Sequence, residues 1–308
     1  MRTRCLRMIS FSAFTVVAFS LVLGGQAALS ASASAAAATH TKYPWKGHDP
    51  ACDIRLHNPG ATIDGVFTTC PPKRVLLLGD SLALTMGIQM ALHEANWGTI
   101  IDDAALNGCG FVNAYRVEYQ GSLVAVNPHC DNEATVWSGD VTSFRPQAIV
   151  IELGWWDSFA HQINGATASL GQPQYDALVE QQIVGLIHVI RSVSAAPIYF
   201  LSVPWMQPQV LPNGQQDPAA SASSHAEINS LIQTAAQSSN AVHFVDISPY
   251  ITPSGHFQTN VDGGICRASD GVHLYYAPAG TEDYVHTHCG EALQKGVLSI
   301  IRQDLAHK

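Results

Sequence analysis

The chain has 308 residues, of which 47% are apolar, and this length is enough for one α/β domain with a substantial core. Only 13% of the residues are charged and the formal net charge is −9. This composition argues against a disordered chain. It also predicts no nucleic-acid partner, because beyond the first seven residues no cluster of Lys and Arg is present to follow a phosphate backbone.

Residues 1–35 are predicted to be a signal peptide. Three arginines in the first seven residues precede an apolar run from Met8 to Gly25, and small-residue triplets between Ala31 and Ala35 offer cleavage sites. An uncleaved membrane anchor is the alternative, because the run is nearly long enough to span a bilayer. The prediction is therefore a protein that is secreted or held in the cell envelope.

Six cysteines follow the signal segment, and an even number in an exported chain predicts disulfides. The simplest pairing is sequential: Cys52–Cys70, Cys109–Cys130 and Cys266–Cys289. Each bridge would close a short segment within one loop region. Free buried cysteines are the alternative.

Residues 36–72 show no clear period and are predicted to be an irregular N-terminal extension, followed by one main domain over residues 73–308. In that domain, apolar runs typical of buried parallel strands alternate with segments of helical apolar spacing. The predicted strands are Arg74–Gly79, a short one within 99–106, Ala148–Leu153, Pro197–Val203 and Ala241–Ile247. The predicted helices are Leu82–Ala95, Tyr175–Val193, Ser223–Ala236 and about Glu291–Leu305.

This alternation predicts a three-layer α/β/α fold with a doubly wound parallel sheet. Two long loops, 107–146 and 203–222, interrupt the pattern. Loops of this length are uncommon in a compact domain and often line a functional site.

The first predicted strand ends in Gly79-Asp80-Ser81-Leu82 and leads directly into a helix. In open α/β sheets, ligands bind beyond the carboxyl ends of the strands. Ser81 at a helix N-terminus is well placed to attack a carbonyl, because free backbone N–H groups stabilise developing negative charge there. An N-cap role for Ser81 is the alternative.

A serine nucleophile needs a base, and Asp270-Gly-Val-His273 supplies one before the last helix. An Asp three residues before a His can bond to Nδ1 and leave Nε2 free for the serine hydroxyl. A solvated surface turn is the alternative interpretation. The two motifs together predict a serine nucleophile with its own base, which requires no cofactor and no metal.

With these two motifs the sequence resembles the SGNH (GDSL-like) hydrolase superfamily over about residues 73–305. The resemblance implies a flavodoxin-like sheet, a triad of Ser81, Asp270 and His273, and an oxyanion hole that includes the Ser81 N–H. It also implies a second-block glycine in that hole, for which Gly108 is the best candidate and Gly110 the next.

The third block departs from the family pattern. The family has Gly-x-Asn-Asp there, and this chain has Gly154-Trp-Trp-Asp157. The Asn donor is therefore either missing or replaced, with Asn107, Asn113 or a backbone N–H as candidates for the replacement. Divergent third blocks resemble SGNH domains linked to O-acyl transfer on cell-envelope polysaccharides. Trp155, Trp156 and Asp157 are candidates for contact with substrate, and ordinary core aromatics are the alternative.

The resemblance implies acyl-ester hydrolysis or acyl transfer, with an O-acylated carbohydrate or a lipid ester as substrate and association with the cell envelope. It leaves the oligomeric state open. A metal enzyme is a weaker hypothesis, because His286-Thr-His288-Cys289 lacks zinc-type spacing. An α/β-hydrolase is disfavoured because its Asp and His are widely separated. A non-catalytic cell-envelope binding module of the same fold remains open.

Overall fold

The computed structural model describes residues 73–91, 99–113, 116–275 and 288–306. The predicted signal peptide, the extension over 36–72 and the Cys52–Cys70 pair lie outside these residues. Within the described ranges, no helix combines the length and the apolar character needed to cross a membrane.

The core of the domain is a five-stranded parallel sheet. In chain order its strands are β1 (Lys73–Gly79), β2 (Thr99–Asp103), β5 (Ala148–Glu152), β8 (Ile198–Leu201) and β9 (Val242–Val245). They lie in the order β2-β1-β5-β8-β9. Numbered among themselves, the strands run 2-1-3-4-5, which is the flavodoxin-like order. The predicted doubly wound parallel sheet is confirmed.

The helices form two groups. Helix α1 (Ser81–Ala91) packs against α6 (His288–Leu293), which continues through a π-helical turn (Gln294–Leu298) into α7 (Ser299–Ala306). The other group is a series of packed helices: α2 (Glu133–Phe144), α3 (Pro173–Val193) and α4 (Ala222–Gln237). A short helix, α5 (Ser248–Ile251), contacts α6.

Helix α3 shows how the apolar spacing determines packing. Its buried residues recur at intervals of three or four, and they are Tyr175, Val179, Ile183, Leu186, Ile187 and Ile190. This spacing places them on one side of the helix, where they join the core against the sheet. Each fully buried aliphatic side chain contributes about 1.5–3 kcal/mol to stability relative to an exposed one.

Four strands outside the main sheet were not predicted. They are β3 (Arg116–Tyr119), β4 (Ser122–Ala125), β6 (Ala160–Ile163) and β7 (Ala166–Ala168), paired antiparallel in the order β4-β3-β6-β7. Helix α2 was not predicted either. The segment 107–146 is thus largely ordered secondary structure rather than one long loop. Two further short strands, β10 (Asn260–Val261) and β11 (Gly264–Ile265), form a separate hairpin.

Gly79, the last residue of β1, is required by the backbone. Its φ is +143°, and a Cβ there would overlap the carbonyl oxygen of Glu152 on the neighbouring strand. We expect Gly79→Ala to lower the free energy of unfolding by about 3 kcal/mol, since both strain and steric overlap act at this position. Urea denaturation measures this loss.

Gly185 is the matched control. It lies within α3, and a Cβ there would meet nothing within 4 Å. Gly185→Ala is expected to raise stability by about 1 kcal/mol, because alanine favours the helix. A Gly79→Ala variant as stable as the wild type would contradict the backbone requirement.

Candidate active site

Asp80, rather than Ser81, caps helix α1. The Oδ1 atom of Asp80 accepts a hydrogen bond from the Leu82 N–H at 2.7 Å, and the Asp80 carbonyl accepts from the Leu84 N–H at 3.0 Å. The alternative role of Ser81 as the N-cap is therefore wrong. Ser81 is the first residue of the helix and is partly exposed. Its hydroxyl forms no hydrogen bond with any described residue, so it is available to a ligand or a base.

One face of α1 contacts the segment that follows His273. Thr85 Oγ1 accepts a hydrogen bond from the Leu274 N–H at 3.2 Å, and Gln89 Nε2 donates to the Tyr275 carbonyl at 2.9 Å. Ser81, Thr85 and Gln89 are four residues apart in turn, so they share one face of the helix. Ser81 is therefore on the side of α1 that meets the loop carrying His273.

Asp270 and His273 form a hydrogen-bonded pair. Nδ1 of His273 lies 2.7 Å from Oδ2 of Asp270, and Asp270 Oδ1 accepts the N–H groups of Val272 and His273 at 2.8 and 3.0 Å. Partial burial alone would raise the pKa of Asp270, but these hydrogen bonds outweigh it and lower the pKa. The arrangement leaves Nε2 of His273 free. The side chains of His273 and Asp270 are 29% and 49% exposed, so solvent and ligands can reach them.

The pair lies at the tip of a short turn. Arg267 and Leu274 form an antiparallel bridge, and the Ala268 N–H donates to the His273 carbonyl at 2.9 Å. The long loop 203–222 contacts this tip, because the Gln207 N–H donates to the Gly271 carbonyl at 2.9 Å. That loop contains only a 3₁₀ turn and one isolated bridge, in agreement with the prediction of an irregular segment.

The segment with the candidate oxyanion glycine is held beside the end of β1. The Leu106 N–H donates to the carbonyl of Gly79 at 2.7 Å, and Gly79 lies two residues before Ser81. Asn107 and Gly108 directly follow Leu106, so this bond holds them near Ser81. Gly108 has a φ of +80°. The carbonyl of Asn107 accepts a hydrogen bond from Asn127 Nδ2 at 2.8 Å.

Asp157 braces the next part of this segment. Its two carboxylate oxygens accept the N–H groups of Phe111 and Val112, both at 2.8 Å, and the side chain is completely buried. Burial raises the pKa of Asp157 to about 7, although the two amide hydrogen bonds oppose this change. A carboxylate so enclosed holds a loop and cannot touch a bound molecule in this conformation. The prediction of a direct substrate contact for Asp157 is corrected accordingly.

Trp155 and Trp156 belong to an aromatic cluster with Tyr119 and Phe159. Ring centroids within the cluster are 4.9–6.2 Å apart, many of them edge to face. Trp155 is 6% exposed, whereas Trp156 is partly exposed. Tyr119 lies on β3, so the cluster packs the second sheet against the end of β5. Asn113, another candidate oxyanion donor, uses Nδ2 to bond the Cys130 carbonyl at 2.6 Å.

Two of the three predicted disulfides are confirmed. Cys109–Cys130 and Cys266–Cys289 are both bonded, and all four residues are completely buried. The first bridge fixes the segment after Gly108. The second fixes the start of the turn that carries Asp270 and His273.

We expect the double variant Cys266→Ser/Cys289→Ser to lose about 3 kcal/mol of unfolding free energy, because the bridge closes a loop of moderate length. Urea denaturation under non-reducing conditions measures the loss. Ser122→Ala, which changes an exposed residue outside both bridges, is the control. An unchanged urea midpoint in the double variant would contradict a stabilising bridge.

Three buried charged residues near this site were not assigned roles from the sequence. Asp80 and Glu152 are completely buried and Arg267 is 1% exposed. Burial raises the pKa of Asp80 to about 6, against hydrogen bonding from Leu82 and the electrostatic influence of the nearby His273. Burial and the neighbouring Asp80 raise the pKa of Glu152 well above its usual range. The one sequence signal was a Glu at the end of an otherwise apolar strand.

The strand order, with Ser81 after the first strand and the Asp270–His273 turn before the last helices, is the arrangement that the resemblance noted from the sequence implies. Residues 74–284 match the family described as Protein of unknown function (DUF459), and the chain belongs to this family. No curated protein matches the sequence.

Among solved structures, the chain is similar to a carbohydrate acetylesterase family member from Sinorhizobium meliloti, with 19% identity, TM-score 0.47 and coverage of 76% of this chain and 99% of that one. It is also similar to an aryl esterase of M. smegmatis, with 15% identity, TM-score 0.43 and coverage of 75% and 99%. The periplasmic domain of a lipopolysaccharide acetyltransferase from Salmonella ser. Paratyphi A shows 12% identity, TM-score 0.47 and coverage of 87% and 95%.

Proposed function

We propose that the protein is a serine esterase that hydrolyses acyl esters, or transfers the acyl group to another hydroxyl, through an acyl-Ser81 intermediate. The observation that carries this proposal is the contact between one face of α1 and the segment after His273, made by Thr85 and Gln89. Ser81 lies on that same face, which supports a single site that contains its hydroxyl and the imidazole of His273.

The proposed reaction gives one role to each of the three residues. His273 Nε2 accepts the proton of Ser81 Oγ while Oγ forms a bond to the ester carbonyl carbon. The tetrahedral intermediate then expels the alcohol, which receives that proton from His273. Water or an acceptor hydroxyl attacks the acyl-serine, His273 accepts its proton, and the proton returns to Ser81 as the acyl group leaves. Asp270 keeps Nδ1 of His273 protonated throughout.

The oxyanion is proposed to bind the N–H groups of Ser81 and Gly108, with the Asn107 side chain as a further donor. Each such donor contributes about 2.7–4 kcal/mol to transition-state stabilisation. Ser81 forms no hydrogen bond with His273 in the described structure, and catalytic hydrogen bonds often tighten only when substrate is bound.

The exposure of the proposed base bears on the substrate. His273 and Asp270 are 29% and 49% exposed, so the residues that the structure describes leave the base at the surface. Such a site suits a small acyl group on a bulky polar alcohol better than a long acyl chain, which needs an enclosed apolar pocket. We propose an O-acylated carbohydrate as the first choice of substrate and a lipid ester as the second.

Export to the cell surface or cell envelope is part of the proposal. The support is the apolar segment from Met8 to Gly25, together with two buried disulfides, which are typical of proteins from oxidising compartments.

A fluorophosphonate probe tests the proposal directly, because it reacts with activated serines. We expect mass spectrometry of the labelled protein to show one adduct, on the peptide that contains Ser81. Hydrolysis of p-nitrophenyl acetate should exceed hydrolysis of p-nitrophenyl octanoate. Absence of an adduct, with no hydrolysis above background, would instead favour a non-catalytic binding module.

A further inference from the structure

Arg267 is a buried cation at the base of the turn that carries Asp270 and His273. It directly follows the bridged Cys266 and pairs with Leu274 across the turn. Its side chain is 1% exposed, and burial lowers its pKa to about 10 against the attraction of Glu152 and Asp270. The guanidinium therefore stays charged at neutral pH inside the protein.

The guanidinium contacts three separate segments. Nη2 donates to the carbonyl of Val272, within the turn itself. The same nitrogen lies 2.9 Å from Sδ of Met206, on the loop 203–222. The guanidinium carbon, Cζ, lies 5.6 Å from the centre of the Phe257 ring. One planar group thus touches the turn from inside and the loop that packs on its tip.

Glu152, the acidic residue that attracts Arg267, lies close to the proposed nucleophile in the fold. Glu152 ends β5, and its backbone carbonyl accepts the Asp80 N–H at 3.3 Å, next to Ser81. By hydrogen-bond geometry, neither carboxyl oxygen of Glu152 has a partner among the described residues, and neither do Nε and Nη1 of Arg267. Electrostatic attraction nevertheless links the buried side chains of Glu152 and Arg267.

We propose that Arg267 is a positioning residue of the proposed acyl-transfer site. Its guanidinium holds the Asp270–His273 turn against the loop 203–222 through its contacts with Val272 and Met206, and so sets the distance between His273 and Ser81. The inference rests on the proposed function. A role in stability alone fits poorly, because apolar side chains of similar size usually stabilise a core as well as buried ion pairs do. A planar fork with several donors instead fixes direction.

The test compares four variants by unfolding temperature and by the second-order rate of fluorophosphonate labelling at Ser81. Arg267→Met removes the charge and should slow labelling by about 100-fold, the effect of a displacement near 1 Å. It should also lower the unfolding temperature, because Glu152 loses its counter-charge. The double variant Arg267→Met/Glu152→Gln should recover most of the lost unfolding temperature, while its labelling rate stays about 100-fold below that of the wild type.

Arg267→Lys keeps the charge but not the fork, and it should slow labelling by about tenfold with little change in unfolding temperature. Arg302→Met is the matched control, because it removes another buried arginine, 4% exposed, from the C-terminal helix. It should label at the wild-type rate whatever its unfolding temperature.

A double variant that labels at the wild-type rate would overturn the inference while leaving the proposed function intact. If the methionine variants do not fold, Arg267→Lys decides, and a wild-type labelling rate in it overturns the inference as well. A wild type that shows no adduct at Ser81 overturns the proposed function and this inference together.

Discussion

Replacing Ser81 with alanine is expected to lower kcat for p-nitrophenyl acetate by about 10⁴- to 10⁶-fold, because the acyl-enzyme can no longer form. The fold should tolerate this change. Asp80 supplies the helix cap, and the Ser81 hydroxyl forms no hydrogen bond with the described residues, so no contact is lost. Steady-state kinetics measure the loss, and a thermal unfolding curve that matches the wild type excludes misfolding.

Ser122→Ala is the control for this experiment. Ser122 is exposed on β4, far along the chain from both motifs, and its replacement should leave kcat unchanged. Equal rates for the wild type and Ser81→Ala would show that Ser81 does not catalyse the observed hydrolysis of p-nitrophenyl acetate. That outcome would favour the binding module over the esterase.

Asp270→Asn is expected to lower kcat by about 10⁴-fold, the loss seen when a triad aspartate becomes an amide. The Asn oxygen can still accept the N–H groups of Val272 and His273, so the turn should keep its shape. The amide cannot stabilise the imidazolium, and it can donate to Nδ1, which favours the wrong tautomer. Kinetics at neutral pH measure the effect.

Asp262→Asn is the matched substitution away from the site. Asp262 is exposed in the turn between β10 and β11 and has a φ of +50°, a conformation that Asn also adopts. We expect this variant to show wild-type kinetics. If Asp270→Asn retained wild-type kcat, the triad assignment would be wrong, whatever the result for Ser81.

The main sheet was predictable because its strands are short apolar runs with few competing signals. β1 and β5 are almost wholly buried, so their sequences are nearly continuous in aliphatic residues. The second sheet was missed for the opposite reason. β4 has three exposed residues out of four, so it carries no apolar alternation. Helix α2 buries only Glu133, Trp137 and Val141, which is too sparse to produce a clear helical pattern.

The candidate site divides in the same way. Ser81, Asp270 and His273 stand in short motifs, and the Asp-His hydrogen bond forms between residues three positions apart. Glu152 and Arg267 are far apart in the chain, and neither lies in a motif. Charged residues are mostly exposed, so the sequence alone predicts exposure for Glu152 and Arg267. Their burial is recognised only when the fold shows what surrounds them.

The burial of the four bonded cysteines limits when the two bridges can form. Each sulfur belongs to a residue with no exposed surface, so a soluble oxidant has no access to it once the core has closed. Oxidation must accompany folding rather than follow it. Protein made in a reducing cytosol should therefore resist later repair by mild oxidation, whereas chains refolded with a glutathione couple or sent through an oxidising export route should acquire both links.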